Sequence, residues 1–227
     1  MTFQITFLGH SAYQVEVGGA RLLIDPFITG NPVAKVSADS LDADYILLTH
    51  GHGDHVGDTL AIAQRTGATV IAIVEVARWI EKQGVEKIFS HGVGGSYTHP
   101  FGWVKFVLAQ HSSSMPDGSY GGLAAGIVIK AEDKTVYFAG DTGLFSDMQL
   151  TGDLGLDMAV LPVGGTMTMD PADSIKAIPY LKPKAVLPCH VNSYPFLAQD
   201  LEAWAARIHN ETSAQPLLVA VGETFTI

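Results

Sequence analysis

The sequence predicts a layered α/β fold, and three observations carry that prediction. Short β-rich runs alternate with segments of helical spacing in both halves of the chain. Several runs are apolar almost throughout, as strands covered on both faces are. Residues capable of chemistry follow directly on four of those runs. In α/β sheets, ligands gather at such carboxyl ends, where loops carry side chains on a rigid base.

Taken in order, Thr2 to Leu8, Ala12 to Val17 and Arg21 to Ile24 read as a meander of strands, with Gly18-Gly19 as a hairpin turn between the last two. Tyr45 to Thr49 is a further apolar strand. After a glycine-punctuated loop, Asp58 to Arg65 has helical spacing that Gly67 can end. Thr69 to Ile73 reads as a buried strand and Glu75 to Gln83 as a helix closed by Gly84, a βαβ-like order that makes the sheet partly parallel. The second half repeats the theme. Strands are expected at Trp103 to Ala109, Leu123 to Lys130, Thr135 to Ala139, Met158 to Pro162 and Ala185 to Leu187, with a tight turn at Asp133-Lys134. Helices are expected at Pro171 to Leu181, with Asp170 as N-cap and Pro179 an awkward interior residue, and at Ala198 to His209. No low-complexity linker or short repeat divides the chain, so residues 1–227 read as a single domain made of two βα halves sharing one core.

Composition narrows the class. With 47% hydrophobic and 16% charged residues, the chain has the profile of a compact globular protein. Its single cysteine, Cys189, excludes an intramolecular disulfide and makes a reducing cytoplasm the expected compartment. No secretory signal or membrane segment is visible; Thr69 to Ala77 is too short to span and is interrupted by Glu75. A formal net charge of −10 works against binding a phosphate backbone, so nucleic acid is not expected as a partner and a small-molecule substrate is. A homo-oligomer is compatible with the sequence.

The chemistry concentrates in His50-Gly51-His52-Gly53-Asp54-His55, three imidazoles and a carboxylate within six positions. Packing gains nothing from such a cluster, whereas divalent metals bind neutral imidazole and carboxylate, and one sharply turned loop can deliver several donors. Gly51 and Gly53 are expected to let the backbone turn that tightly. Alternate residues His50 and His52 can face one ion, and Asp54 and His55 a second. His111, Asp141 and His190 can complete both, with Asp141 able to bridge because a carboxylate has two oxygens. The expected cofactor is therefore two divalent ions, zinc first, with manganese or iron also accommodated by a histidine-rich donor set.

With these residues in place, the sequence resembles the metallo-β-lactamase superfamily, whose signature is His-x-His-x-Asp-His followed by a histidine, an aspartate and a last histidine. The likeness runs from Leu22-Leu23-Ile24-Asp25-Pro26 through Thr49 to His55, Gln110-His111-Ser112-Ser113 and Ala139-Gly140-Asp141-Thr142 to Leu187-Pro188-Cys189-His190. Gly9-His10-Ser11-Ala12, Asp25 to Pro32 and Pro162 to Met169 narrow it to a branch of metal-dependent hydrolases similar to ascorbate-phosphate lactonases and, more distantly, to N-acyl-phosphatidylethanolamine phospholipases. The resemblance implies a four-layer αββα sandwich with the site on the rim between the sheets. It implies that His50, His52 and His111 hold one metal, that Asp54, His55 and His190 hold the other, and that Asp141 bridges. Asp25 would accept a hydrogen bond that orients a ligand, although a turn before Pro26 is also reason enough for an aspartate.

Two metals can lower the pKa of a water held between them and polarise the oxygen under attack, so the expected activity is hydrolysis of an ester-like bond: a lactone, a carboxylic ester or a phosphodiester. Asp54 would orient the hydroxide. His10 could protonate a leaving group, hold an anionic substrate or simply satisfy a local hydrogen bond. Asn192 and Thr166 are weaker candidates for substrate contact. The Ser112-Ser113-Ser114 run could cradle an anion or be an ordinary loop, and His91, His99 and His209 fit no ligand pattern. Alternatives are a nuclease, which the acidic balance disfavours, a phosphodiesterase, and a metal-binding module without catalysis, which the full ligand set disfavours. Glyoxalase-type thioester hydrolysis lacks a basic motif for glutathione. Antibiotic hydrolysis would call for cysteine at Asp141, and di-iron redox chemistry for a carboxylate in place of an early histidine.

Overall fold

The computed structural model describes residues 2–227. Its first half contributes β1 (Gln4–Gly9), β2 (Ala12–Val17), β3 (Ala20–Ile24), β4 (Tyr45–Leu47), α1 (Gly53–Val56), α2 (Thr59–Thr66), β5 (Thr69–Ile73), α3 (Val74–Lys82) and β6 (Ile88–His91). The second contributes β7 (Ser96–His99), β8 (Gly102–Leu108), β9 (Ala125–Ala131), β10 (Lys134–Phe138), α4 (Met148–Gly152), β11 (Met158–Pro162), α5 (Pro171–Leu181), β12 (Ala185–Cys189), α6 (Leu201–Glu211), β13 (Gln215–Pro216) and β14 (Thr224–Thr226). They form two seven-stranded sheets, ordered β14-β1-β2-β3-β4-β5-β6 and β13-β12-β11-β10-β9-β8-β7. Each begins as an antiparallel meander and continues parallel, from β3 in the first sheet and from β10 in the second. With helices outside, this is the αββα sandwich.

Period-two alternation explains why the second-half strands read as unbroken apolar runs. Ile127 and Ile129 of β9, Val136 and Phe138 of β10, and Met158 and Val160 of β11 pack into the core between the sheets. Their neighbours Val128, Tyr137, Ala159 and Leu161 turn the other way, against Ile175 and Ile178 of α5 and Trp204 and Ile208 of α6. Away from the β9–β10 turn, where Lys130 is exposed and Lys134 half-buried, both faces of these strands are covered, so neither can carry a polar residue cheaply.

The local signals work as read. Gly18 and Gly19, at φ +58° and +77°, form the β2–β3 turn with the twist a two-residue hairpin needs. Asp170 caps α5 by accepting the Asp173 N–H at 2.8 Å. α5 runs through Pro179 to Leu181, because a proline this near the carboxyl end forfeits only one helical hydrogen bond. Other boundaries move. The β9–β10 turn is Glu132-Asp133, one residue earlier than expected, with both residues at positive φ. The last helix starts at Leu201, not Ala198: Asp200 accepts the Ala203 N–H at 2.9 Å and Pro195–Leu197 forms a separate 3₁₀ turn. Strands β6, β7, β13 and β14 and helix α4 were not legible, being short and held by partners distant in sequence. Among the described residues, no helix is long and apolar enough to cross a membrane.

β6 and β7 are edge strands of different sheets, and they are joined by His91 and His99, both buried, with Nε2 atoms 3.3 Å apart and Phe101 stacked on His99. One neutral ring must donate to the other, so this pair tolerates no second proton. Burial holds both imidazoles down, His99 to about 4, with His91 adding to the effect. A histidine whose folded pKa lies below the unfolded 6.5 stabilises the fold fully above that value and ceases to do so as pH falls towards 4. Urea unfolding is therefore expected to show a smaller loss of stability between pH 7.5 and 4.5 in a His91→Phe/His99→Phe variant than in the wild type. An equal loss would mean that the pair does not titrate with unfolding.

Candidate metal centre

Strand direction builds the site. In the first sheet β1, β3 and β4 point the same way, and in the second β8, β10 and β12 do. Their carboxyl ends deliver His10, Asp25, His50, His111, Asp141 and His190 within three residues of the last strand residue. Three of these, His10, Asp25 and His190, take left-handed backbone at φ 58°, 44° and 49°. Such conformations cost non-glycine residues energy and persist where the surroundings fix them. Gly140 supplies the remaining sharp exit, at φ +61°, where a Cβ would lie 2.8 Å from that of Thr49.

The expected role of Gly51 and Gly53 needs correction. Neither has positive φ. Gly51 is required for space, since a Cβ there would stand 2.6 Å from Met115 Sδ, whereas Gly53 faces nothing within 4 Å. Of the serine run, Ser113 is structural: its Oγ accepts the Gly51 N–H at 3.1 Å and donates to the Gly121 carbonyl at 2.9 Å, bracing the loop from behind, while Ser112 lines the pocket over the site.

Donor atoms converge in two places. Those of His50, His52 and His111 lie within 4.8 Å of one another, as do those of His10, Asp54, His55 and His190. Asp141 stands between: Oδ1 is 3.2 Å from His55 Nε2, while Oδ2 is 3.2 Å from His190 Nε2 and 3.6 Å from His111 Nε2. Asp54 Oδ2 lies 3.7 Å from His190 Nε2 and 3.2 Å from His10 Nε2.

Hydrogen bonding from behind settles the tautomers. Buried Asp25 accepts from the Thr49 N–H at 2.8 Å, the Thr49 hydroxyl at 2.6 Å and His55 Nδ1–H at 2.8 Å. Thr49 has given its only hydroxyl proton to Asp25, so it accepts from His50 Nδ1–H at 3.0 Å. In the neutral form both rings therefore turn unprotonated Nε2 atoms inward, His50's 3.0 Å from His52 Nδ1, and this is the form in which imidazole binds a metal. Neutral His55 faces Asp141 Oδ1 lone pair to lone pair, and neither atom has a hydrogen-bond partner although both are buried. That position calls for positive charge. Burial opposes charge on His55, but Asp141 and Asp25 push its pKa well up; burial likewise opposes the Asp141 carboxylate, but His55 and His190 hold its pKa well down. His190 is raised to about 9, burial being outweighed by Asp141. Burial pushes His50 and His111 down instead, keeping them neutral. An all-imidazole cluster and a mixed one, in which Asp54 joins imidazoles, sharing Asp141 between them, fit a dinuclear divalent-metal site.

The remaining expected residues fall nearby. His10 is buried between Asp54 and Ser193, whose Oγ lies 2.7 Å from Nδ1. Asn192 places both ends of its amide on the Gln199 backbone, at 2.8 and 3.2 Å. Thr166 makes a 3.5 Å contact to the Phe196 carbonyl. Sequence reading missed Thr49 and Ser193, whose contributions are hydrogen bonds invisible along the chain. It also missed Met167, Tyr194 and Phe196, which line the pocket over the site; two aromatics flanking Pro195 just past His190 were the available signal.

The sandwich and its paired donor clusters define a metal-dependent hydrolase. Residues 20–191 match the beta-lactamase superfamily domain. A UPF0173 metal-dependent hydrolase of Thermus thermophilus is 47% identical over 204 residues, 90% of each chain. Another from Shouchella clausii is 44% identical over 230 residues, covering 99% of this chain and all of the relative. Among solved structures, Igni18, a metallo hydrolase of the archaeon Ignicoccus hospitalis, superposes with a TM-score of 0.91 at 34% identity, covering 100% of this chain and 99% of that one. The chain belongs to the metallo-β-lactamase superfamily, in the UPF0173 branch of metal-dependent hydrolases.

Replacing Asp25 by Ala strands three buried donors. The expected cost is about 3 kcal/mol in urea unfolding, with metal affinity reduced about 10- to 100-fold in a chelator competition. A variant with wild-type affinity would show that Asp25 serves only the turn.

Proposed function

We propose that this protein hydrolyses an ester-like bond in a small molecule with two divalent ions, zinc first. His50, His52 and His111 would hold one, Asp54, His55 and His190 the other, and Asp141 would bridge them. The observation that carries this reading is buried Asp141, which reaches both donor clusters: Oδ1 faces His55 and Oδ2 lies between His190 of one cluster and His111 of the other. When bound, the ions make water acidic enough to attack near neutral pH and polarise the oxygen under attack.

The side chains supply the rest. Asp54 orients the attacking water. His10, held by Ser193 and Asp54, is positioned to give a proton from Nε2 to the departing oxygen. Asn192 and Thr166 shape the loop that carries Tyr194 and Phe196. A lactone is one substrate within this class, supported by the likeness of Gly9 to Ala12 and Pro162 to Met169 to ascorbate-phosphate lactonases. The shared inter-sheet core supports one domain over 1–227, and the lone buried Cys189 supports a reducing, cytoplasmic setting.

Elemental analysis of purified protein is expected to give about two metal equivalents per chain. Asp141→Ala should lower both, whereas His50→Ala should mainly lower one; negligible losses from both would overturn the bridging assignment.

For His10→Ala, metal content and melting temperature should stay near wild type while turnover falls about 10²- to 10⁴-fold. The loss should shrink on a nitrophenyl ester, whose leaving group needs no proton. Equal losses on good and poor leaving groups would make His10 a binding residue, and loss of metal would place it in the scaffold.

A further inference from the structure

The pocket above the donor clusters, about 300 Å³, has two unlike sides. One is His10, His52, Asp54, His111, Asp141 and His190, with Ser112 beside them; the other is Met167, Tyr194, Phe196 and Leu197. Met167 and Phe196 are 59% and 57% exposed, large apolar surface left open beside a reactive site.

This wall is built. The Tyr194 and Phe196 rings lie parallel, 5.6 Å apart at 11°. Their loop is clamped by Asn192 on Gln199, by Gln199 Nε2 on the Gly164 carbonyl at 3.1 Å, and by the Tyr194 hydroxyl on the Gly30 carbonyl at 3.4 Å. A flat, held aromatic surface binds an apolar or aromatic group with little ordering cost.

Charge is as informative. No lysine or arginine lines the pocket, and its carboxylates belong to the donor clusters. An anionic group remote from the scissile bond would lose hydration without gaining a counter-ion. The volume, at the low end for ligand pockets, suits a small molecule.

Building on the hydrolase reading, we infer that the substrate is an uncharged ester or lactone carrying one apolar or aromatic group, seated against Met167, Tyr194 and Phe196, and that esters bearing a remote phosphate are rejected, which departs from the phosphorylated lactone that the likeness to ascorbate-phosphate lactonases suggests. Water adds its oxygen to the acyl carbon, the acyl C–O bond breaks, and the leaving oxygen takes a proton. The products are an acid and an alcohol, or a hydroxy acid from a lactone, with no redox partner.

The test compares methyl 3-phenylpropanoate, the same ester phosphorylated on its ring, and methyl acetate on metal-loaded protein. In parallel, calorimetry measures binding of 4-phenylbutan-2-one, an uncleavable ketone of the same shape. The aromatic ester should exceed its phosphorylated form about 100-fold in kcat/KM, and Phe196→Ala and Met167→Ala should each lower the preference for it over methyl acetate about tenfold, mainly through KM. Ketone affinity should fall in parallel, and Phe196→Arg should narrow the gap to the phosphorylated ester. Equal turnover of the aromatic and phosphorylated esters, or ketone binding unchanged in both alanine variants, overturns the apolar assignment. Ketone binding that depends on Phe196 and Met167 supports it even if no ester is cleaved, and in that case the hydrolase reading alone fails.

Discussion

Strands that are buried on both faces leave no interior place for a charge, and the rest of this molecule follows from that restriction. The second sheet turns Ile127, Ile129, Val136 and Phe138 towards the first, and Val128, Tyr137 and Leu161 towards the helices. A carboxylate or unpaired imidazole in either layer would lose its hydration with nothing to replace it, and the buried strand histidines His91 and His99 answer this by pairing with each other. Polar chemistry is displaced to the ends of the strands. Because the ligand-bearing strands of each sheet share a direction, it collects on one rim. The sandwich defines both the stability of the scaffold and the address of its site.

On that rim, one buried carboxylate disciplines the others. Asp25 takes three hydrogen bonds, two from Thr49 and one from His55, and through Thr49 it also sets the tautomer of His50. Two rings are thereby committed to offering lone pairs into the same small volume. Buried lone pairs facing a buried carboxylate are unstable alone and favourable around a cation, so affinity for metal is prepared by hydrogen bonds that never touch it. The left-handed backbone at His10, Asp25 and His190 belongs to the same preparation, bending each chain end inward at the point where it leaves its strand.

The apolar wall opposite has a different origin. Tyr194, Pro195 and Phe196 sit in the loop that follows His190, and Asn192, itself left-handed at φ 56°, closes that loop on Gln199. The segment that delivers the last histidine thus also presents the aromatic surface. The last histidine of the donor clusters and the aromatics of the apolar wall are neighbours on one loop.

By itself the sequence determined the α/β class, the hairpin at Gly18-Gly19 and the Asp170 cap, and it singled out the cluster from His50 to His55, because each depends on local backbone preference or on residue types whose close spacing serves no packing purpose; His111, Asp141 and His190 were suggested by their place after apolar runs and by the family resemblance. It was silent on β6, β7, β13 and β14, two to four residues each, whose pairing energy comes from partners far along the chain. It misassigned Gly51, since a glycine needed for clearance from Met115 looks the same as one needed for a turn, and Gly53, which has neither positive φ nor a crowding neighbour. Only the tertiary structure decided that Ser193 meets His10, that Thr49 joins Asp25 to His50, and that His91 pairs with His99 between the sheets. Those are contacts between segments separated in the chain, and hydrogen-bond geometry arises only once both sheets have packed.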